Sequence, residues 1–285
     1  MSRTVYVNGS YLPEEDAKVS IFDRGFLFAD GVYEVSSVVR GRLIDNRAHL
    51  ERLHRSLEAI EIEAPLSDSE IAAIQQELIA RNSVDEGVVY LQVTRGAAER
   101  DFSYPKAAKP TLVMFTQAKR LIDNPLAQKG ISVVTTPDIR WARRDIKTVG
   151  LLASSMAKMV AVRAGADDAW MVENGYVTEG SSNNAYIVTG NNTIVTRHLS
   201  REILSGITRQ AVLKLAAEAH LSIEERPFTP AEAHVAHEAF ITSASTFVMP
   251  VVKIDDTLLG DGKPGALSLR LREIYIAAAL AEIGK

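Results

Sequence analysis

The turns constrain this chain more than any other feature. Asn8-Gly9-Ser10, Arg40-Gly41, Glu173-Asn174-Gly175 and Thr189-Gly190-Asn191-Asn192 each separate short β-rich runs, and links of this kind close antiparallel hairpins. They predict mostly antiparallel pairing and argue against a doubly wound parallel sheet. Residues 4–7 and 11–12 flank the first turn and 32–39 meets 43–44 across the second, so the chain begins as a sheet. Leu50, Leu53, Leu57 and Ile60 then repeat at helical spacing behind Asp45 or Asn46 as cap. Ile71, Ile74 and Leu78 mark a second helix over about 67–81. Two β-rich runs, 88–94 and 111–116, follow with a polar excursion at 95–109 between them. These elements predict a small N-terminal α/β domain over 1–117. The period breaks down at 118–130, where Asn124-Pro125 disfavours a helix, and this stretch is expected to be a linker. Residues 131–285 are expected to form a larger domain, with short strands near 131–135, 168–172, 185–188, 193–195, 239–242 and 248–254. Helices are expected at about 149–164, 208–219 and 267–283. The expected fold class is therefore α+β, a mixed α/β chain in two domains.

The 285 residues suffice for two sizeable cores, and 46% apolar with 24% charged residues matches an ordinary globular protein. A formal net charge of -4 leaves no basic footprint for nucleic acid. The absence of cysteine excludes disulfides, thiol catalysis and cysteine-based metal sites. Met1 leads into a polar segment rather than a basic start with an apolar core, and no apolar run reaches membrane-spanning length. A cytoplasmic enzyme is the expectation.

Two residues 32 positions apart carry the chemistry: Lys147, in Asp145-Ile146-Lys147-Thr148, and Glu179, in Thr178-Glu179-Gly180-Ser181-Ser182-Asn183. A lysine amine suits an aldehyde cofactor and a carboxylate suits a protonated pyridine nitrogen, so the pair points to pyridoxal phosphate. Ser205-Gly206-Ile207-Thr208 stands where a helix begins. There the amides of Ile207 and Thr208 could hold a phosphate, although Ser205 or Thr208 is equally a plain N-cap. Arg52 lies off the leucine stripe beside His49 and Ser56, a pattern that usually marks a solvated helix face. His234 and His237 lack a third metal ligand, and no metal site is expected. The Gly-x-Ser-x-Gly spacing of a nucleophile elbow does not occur.

In order along the chain, Asp23-Arg24-Gly25, Asp30-Gly31-Val32-Tyr33-Glu34, His49-Leu50-Glu51-Arg52-Leu53, Val93-Thr94-Arg95-Gly96, Asp145-Ile146-Lys147, Thr178 to Asn183, Gly206-Ile207-Thr208-Arg209 and Ile241-Thr242-Ser243 resemble the fold-type IV pyridoxal phosphate enzymes. This family includes D-amino acid, branched-chain and aminodeoxychorismate enzymes, and the chain looks most similar to the D-amino acid aminotransferases. The resemblance implies a small α/β sandwich domain and a larger pseudo-barrel of mostly antiparallel strands. It implies Lys147 as the Schiff-base lysine, Glu179 on the pyridine nitrogen and Leu204 on the ring face. Arg52, Gly206, Ile207, Thr208 and Ser245 would lie at the phosphate, with Ser181, Ser182 and Asn183 in the cofactor-binding motif. Tyr33 and Arg100 align with residues that bind the substrate α-carboxylate, the arginine being lent by the other subunit of a homodimer whose active sites lie at the interface. A family histidine that donates to the same carboxylate is replaced by Phe102. The expected reaction is ping-pong transfer of an amino group from a D-amino acid such as D-alanine to 2-oxoglutarate or pyruvate. An (R)-selective primary amine transaminase is the alternative, followed by a branched-chain L-amino acid aminotransferase or an aminodeoxychorismate lyase.

Overall fold

The computed structural model describes residues 2–283. The chain separates into two compact units. The first runs to Arg120 and takes in Ile146–Gly150, and the second comprises Leu121–Asp145 and everything from Leu151 onward.

The first unit contains β1 (Thr4–Val7), β2 (Ser10–Pro13), α1 (Arg24–Phe28), β3 (Gly31–Val39), β4 (Arg42–Ile44), α2 (Asn46–Ala59), α3 (Asp68–Arg81), β5 (Gly87–Thr94) and β6 (Thr111–Ala118). Its six strands form one antiparallel sheet in the order β2-β1-β6-β5-β3-β4. Both expected hairpin turns close as predicted, with positive φ at Asn8 and Arg40 and at the glycines that follow them. Leu50, Leu53 and Leu57 of α2 and Ile71 and Leu78 of α3 bury against Val32, Leu91, Val93, Leu112 and Met114 of the sheet. Ser67 and Glu70 build a reciprocal capping box at the start of α3. The start of α2 differs from expectation. Asp45 occupies the cap position in a left-handed conformation without a side-chain cap bond. Asn46 is already helical, its side chain accepting from Ser36 and donating to Gln75, each at 2.8 Å.

Ile146–Gly150, expected with the C-terminal half, belongs to the first unit because Ile146 joins its core and the backbone pairs with the start of β3. Tyr33 N donates to Lys147 O at 3.0 Å and Val149 N to Gly31 O at 3.1 Å. β4 pairs only with the far end of β3, so this edge is open to the five-residue segment.

The second unit contains α4 (Pro125–Lys129), β7 (Ile131–Pro137), α5 (Leu152–Arg163), β8 (Asp168–Glu173), β9 (Tyr176–Gly180), β10 (Asn184–Val188), β11 (Ile194–Thr196), α6 (Ile207–Glu218), β12 (Ile223–Glu225), α7 (Pro230–His234), β13 (Glu238–Ser243), β14 (Phe247–Ile254), β15 (Thr257–Leu258) and α8 (Ala266–Ile283). Eight strands run β12-β11-β10-β13-β14-β7-β8-β9, with β15 added to β14. Pairing is antiparallel except at β11/β12, β14/β7 and β7/β8. Trp170, Val177, Ile187, Phe228, Ile241 and Met249 fill its core. Arg272 of α8 is buried and donates to Val248 O at 2.7 Å and Thr246 O at 2.8 Å, fixing the terminal helix to β14.

Within the expected linker, Asn124-Pro125 starts a helix instead of preventing one. The Asn124 side chain accepts from Leu126 N at 3.0 Å and Pro125 fills the first helical position, where it has no N–H to lose. Helix α7 ends at His234, which pairs with Asp255 at 2.9 Å, and His237 lies beyond the helix. Among the described residues no helix is long and apolar enough to cross a membrane.

Candidate active site

In the first unit the polar stripe of α2 is buried rather than solvated. His49, Arg52 and Ser56 are 2%, 5% and 3% exposed, so α2 buries two adjoining faces instead of one. Glu34 of β3, also buried, is their partner. Arg52 Nε donates to Glu34 Oε1 at 2.8 Å, Arg52 Nη2 to Oε2 at 2.7 Å, and His49 Nδ1 lies 2.7 Å from Oε2. Burial pushes His49 below the usual imidazole range, against the pull of Glu34. Burial would raise the Glu34 carboxyl, but Arg52 and His49 outweigh it and hold the group at about 2.

That value lies below the ordinary 4.5, so the stabilisation is complete above pH 4.5 and is lost as the pH falls toward about 2. Glu34→Gln strands the Arg52 charge and is expected to cost about 3–5 kcal/mol at neutral pH. The gap from the parent protein should narrow below pH 4.5. Urea midpoints at neutral pH and near about pH 3 check this, and a gap that widens in acid contradicts it.

Ser56 continues the stripe to Lys147, whose backbone N lies 3.4 Å from Ser56 Oγ. The Lys147 side chain turns to Tyr33, with Nζ 4.2 Å from the ring centroid. Among the described residues the amine takes part in no ion pair, unlike Lys158, which sits 3.4 Å from Asp168. The Tyr33 ring stacks on Tyr90, and Tyr90 on Phe115. Arg100 and Phe102 are exposed on the 95–109 excursion, where the Arg100 Cζ is 5.7 Å from the Phe102 ring centroid.

In the second unit Glu179 lies in strand β9, 4% exposed, rather than in a turn. Its carboxylate meets Arg140 Nη1 at 2.5 Å, Asn184 Nδ2 at 2.9 Å and Leu204 N at 3.2 Å to both oxygens. Burial pushes the Glu179 carboxyl above the usual range against the pull of Arg140 and the Leu204 amide, while neighbouring Asp138 adds to the rise. Arg140 itself is held firmly charged by Glu179 and Asp138 in spite of burial.

Asn184 joins this carboxylate to the loop ahead of α6 by donating also to Leu204 O at 3.0 Å. The same side chain explains Gly206, because a Cβ there would stand 2.2 Å from Asn184 Oδ1. Gly206 is the N-cap of α6 and offers no side-chain cap, with the first-turn amides of Ile207 and Thr208 at the positive end of the helix dipole. Neither Ser205 nor Thr208 occupies the N-cap position.

The remaining expected residues are placed differently. Ser181 Oγ and Asn183 Nδ2 both donate to Asp168, at 2.5 and 2.7 Å, while Ser182 is exposed. Ser181 and Asn183 therefore hold the β9–β10 turn, and Asn184 is the residue that reaches Glu179. Ser245 lies in the β13–β14 turn with its hydroxyl 3.3 Å from Ser243 Oγ. Arg140, Asp138 and Asn184 carry no sequence signal beyond their polarity, apart from the adjacency of Asn184 to the Glu179 motif. Their partners are supplied by strand pairing.

Residues 31–254 match the amino-transferase class IV family. The chain is 37% identical to the D-alanine aminotransferase of Staphylococcus epidermidis over 272 residues, 94% of this chain and 95% of that one. It is 37% identical to the D-alanine aminotransferase of Bacillus licheniformis over 281 residues, 99% of each. Among solved structures, the T.th. branched-chain amino acid aminotransferase with pyridoxamine 5'-phosphate superposes with a TM-score of 0.90 at 26% identity, over 98% of this chain and 94% of that one. The Escherichia coli branched-chain amino acid aminotransferase shares the fold at a TM-score of 0.91 and 21% identity, over 98% and 95%. With a family match over residues 31–254 and relatives 37% identical over nearly the whole chain, the chain belongs to the class IV aminotransferases.

Proposed function

We propose that this chain is a pyridoxal-phosphate-dependent transaminase moving the amino group of a D-amino acid such as D-alanine to 2-oxoglutarate or pyruvate in two ping-pong halves. The observation that carries the reading is the Lys147 amine, held against the Tyr33 ring and in no ion pair among the described residues. The D-alanine aminotransferase relatives support the donor, and the pyridoxamine phosphate held by the solved relative supports the cofactor. When bound, the cofactor supplies an electron sink for the substrate's α-carbon.

Lys147 would hold the cofactor through its amine, and the same amine would carry the proton at the substrate's α-carbon. Glu179, oriented by Arg140 and Asn184, would keep the pyridine nitrogen protonated. Arg52, the Ile207 and Thr208 amides and Ser245 would hold the phosphate, and Leu204 would serve the ring face. Tyr33 and Arg100 read the substrate α-carboxylate. The second unit would be the main cofactor-binding domain. We place the enzyme in the cytoplasm as a homodimer in which Arg100 serves the neighbouring subunit's site.

A primary (R)-amine donor is the second reading, favoured by Phe102, an apolar ring that gives a carboxylate no donor. Mixing holoenzyme with D-alanine, L-leucine or (R)-1-phenylethylamine in the absence of acceptor decides between them. D-alanine should release about one equivalent of pyruvate per cofactor fastest, from a species that light scattering reports as a dimer. Faster reaction with either other donor would displace the D-amino acid reading, and pyruvate release from aminodeoxychorismate would point to the lyase.

A further inference from the structure

Asp23-Arg24-Gly25 and Arg95-Gly96 have no part in the reading above, yet within the first unit they converge on one carboxylate. Arg24 Nε and Arg95 Nε donate to Asp30 Oδ2 at 2.7 and 2.8 Å, and all three side chains are less than a tenth exposed. The surplus positive charge is met by backbone carbonyls. Arg95 donates to Ile60 O and Glu61 O, and Arg24 Nη1 donates to Asp101 O at 2.5 Å. Arg95 Cζ also lies 3.5 Å from the Tyr104 ring centroid. The excursion is thereby tied down on the C-terminal side of Arg100.

Arg100 is held differently. Its Cζ lies 5.5 Å from the Phe28 centroid and 5.7 Å from that of Phe102, and the two rings are 5.6 Å apart. Arg24 Cζ is 4.5 Å from the same Phe28 ring. Among the described residues no carboxylate pairs with Arg100, in contrast to Arg24 and Arg95.

From this geometry we infer that Phe28 and Phe102 form an aromatic clamp that positions the Arg100 guanidinium for carboxylate recognition, with Arg24 setting the clamp through Phe28 and the Asp101 carbonyl. The inference rests on the proposed role of Arg100. Ring contacts restrict an arginine without consuming its five N–H donors or cancelling its charge, so both are kept for substrate. A carboxylate in the same place would compete with the ligand. Restricting a rotamer-rich side chain beforehand lowers the cost of binding. Phe102 is then a positioning residue, not merely the loss of a donor.

Steady-state kinetics of the holoenzyme test this. Phe28→Leu, and the more exposed Phe102→Leu as a variant with little risk to folding, should each raise KM for D-alanine and pyruvate about two- to five-fold. Their kcat should stay within about two-fold. Phe28→Tyr keeps the ring and should restore KM. Arg100→Ala should raise KM about ten-fold or more, and adding Phe28→Leu to it should change nothing further, because the clamp acts through Arg100. If Arg100→Ala raises KM but the phenylalanine variants do not, or if Phe28→Leu acts equally in the Arg100→Ala background, the clamp is overturned and the carboxylate reading stands. An unchanged KM in Arg100→Ala overturns both.

Discussion

Lys147→Ala is expected to reduce turnover by more than about 10³-fold while leaving the protein folded. The side chain contributes to stability chiefly through its contact with the Tyr33 ring, worth about 0.5–1 kcal/mol at a partly exposed site. The backbone bonds that fix the segment, Tyr33 N to Lys147 O and Val149 N to Gly31 O, do not depend on the side chain. Urea unfolding should therefore be nearly unchanged. Borohydride reduction of the wild-type holoenzyme followed by peptide mapping should put the phosphopyridoxyl label on Lys147. A label on Lys158 would remove Lys147 from its role, although Lys158 of α5 is already engaged with Asp168 of β8.

Glu179→Gln is expected to slow single-turnover transfer by about 10²-fold or more while cofactor stays bound, since a neutral amide cannot hold a proton on the pyridine nitrogen. The substitution has a structural side as well. It leaves Arg140 with Asp138 as its sole carboxylate partner and turns an amide N–H toward either Arg140 or Asn184, both donors. A loss of about 1–3 kcal/mol in stability should accompany the kinetic defect. Stopped-flow rates at saturating D-alanine, read with dialysis retention of cofactor, separate the two effects. A near wild-type rate would falsify the assignment of Glu179 to the pyridine nitrogen.

The local alphabet of the chain was readable without coordinates. Turn residues with positive φ closed the expected hairpins, and the leucine stripe of α2 faced the core where its spacing put it. The start of α6 lay within one residue of expectation. These features depend on neighbours within about four positions, and steric and periodic rules act at that range. The Lys147 and Glu179 motifs were singled out for a related reason, because amines and carboxylates in short ordered motifs suggest chemistry of their own.

Tertiary structure decided what each polar residue faces. Arg52, His49 and Ser56 have the spacing of a solvated stripe, yet Glu34, eighteen positions from Arg52 and on another element, makes burying them favourable. Ser181 and Asn183 sit in the same motif as Glu179 but turn to Asp168, whereas Asn184 turns to Glu179, because successive residues leaving a strand alternate in direction. Arg140 acquires its meaning only when β7 and β8 pair and β9 folds back on β8, with Thr178 bonded to Asp138. Lys147 lies between segments of the second unit in sequence but is built into the edge of β3 by two backbone bonds. Composition and spacing fixed which groups were available; the partner that sets a buried charge is chosen by contacts distant in sequence, which no local pattern encodes.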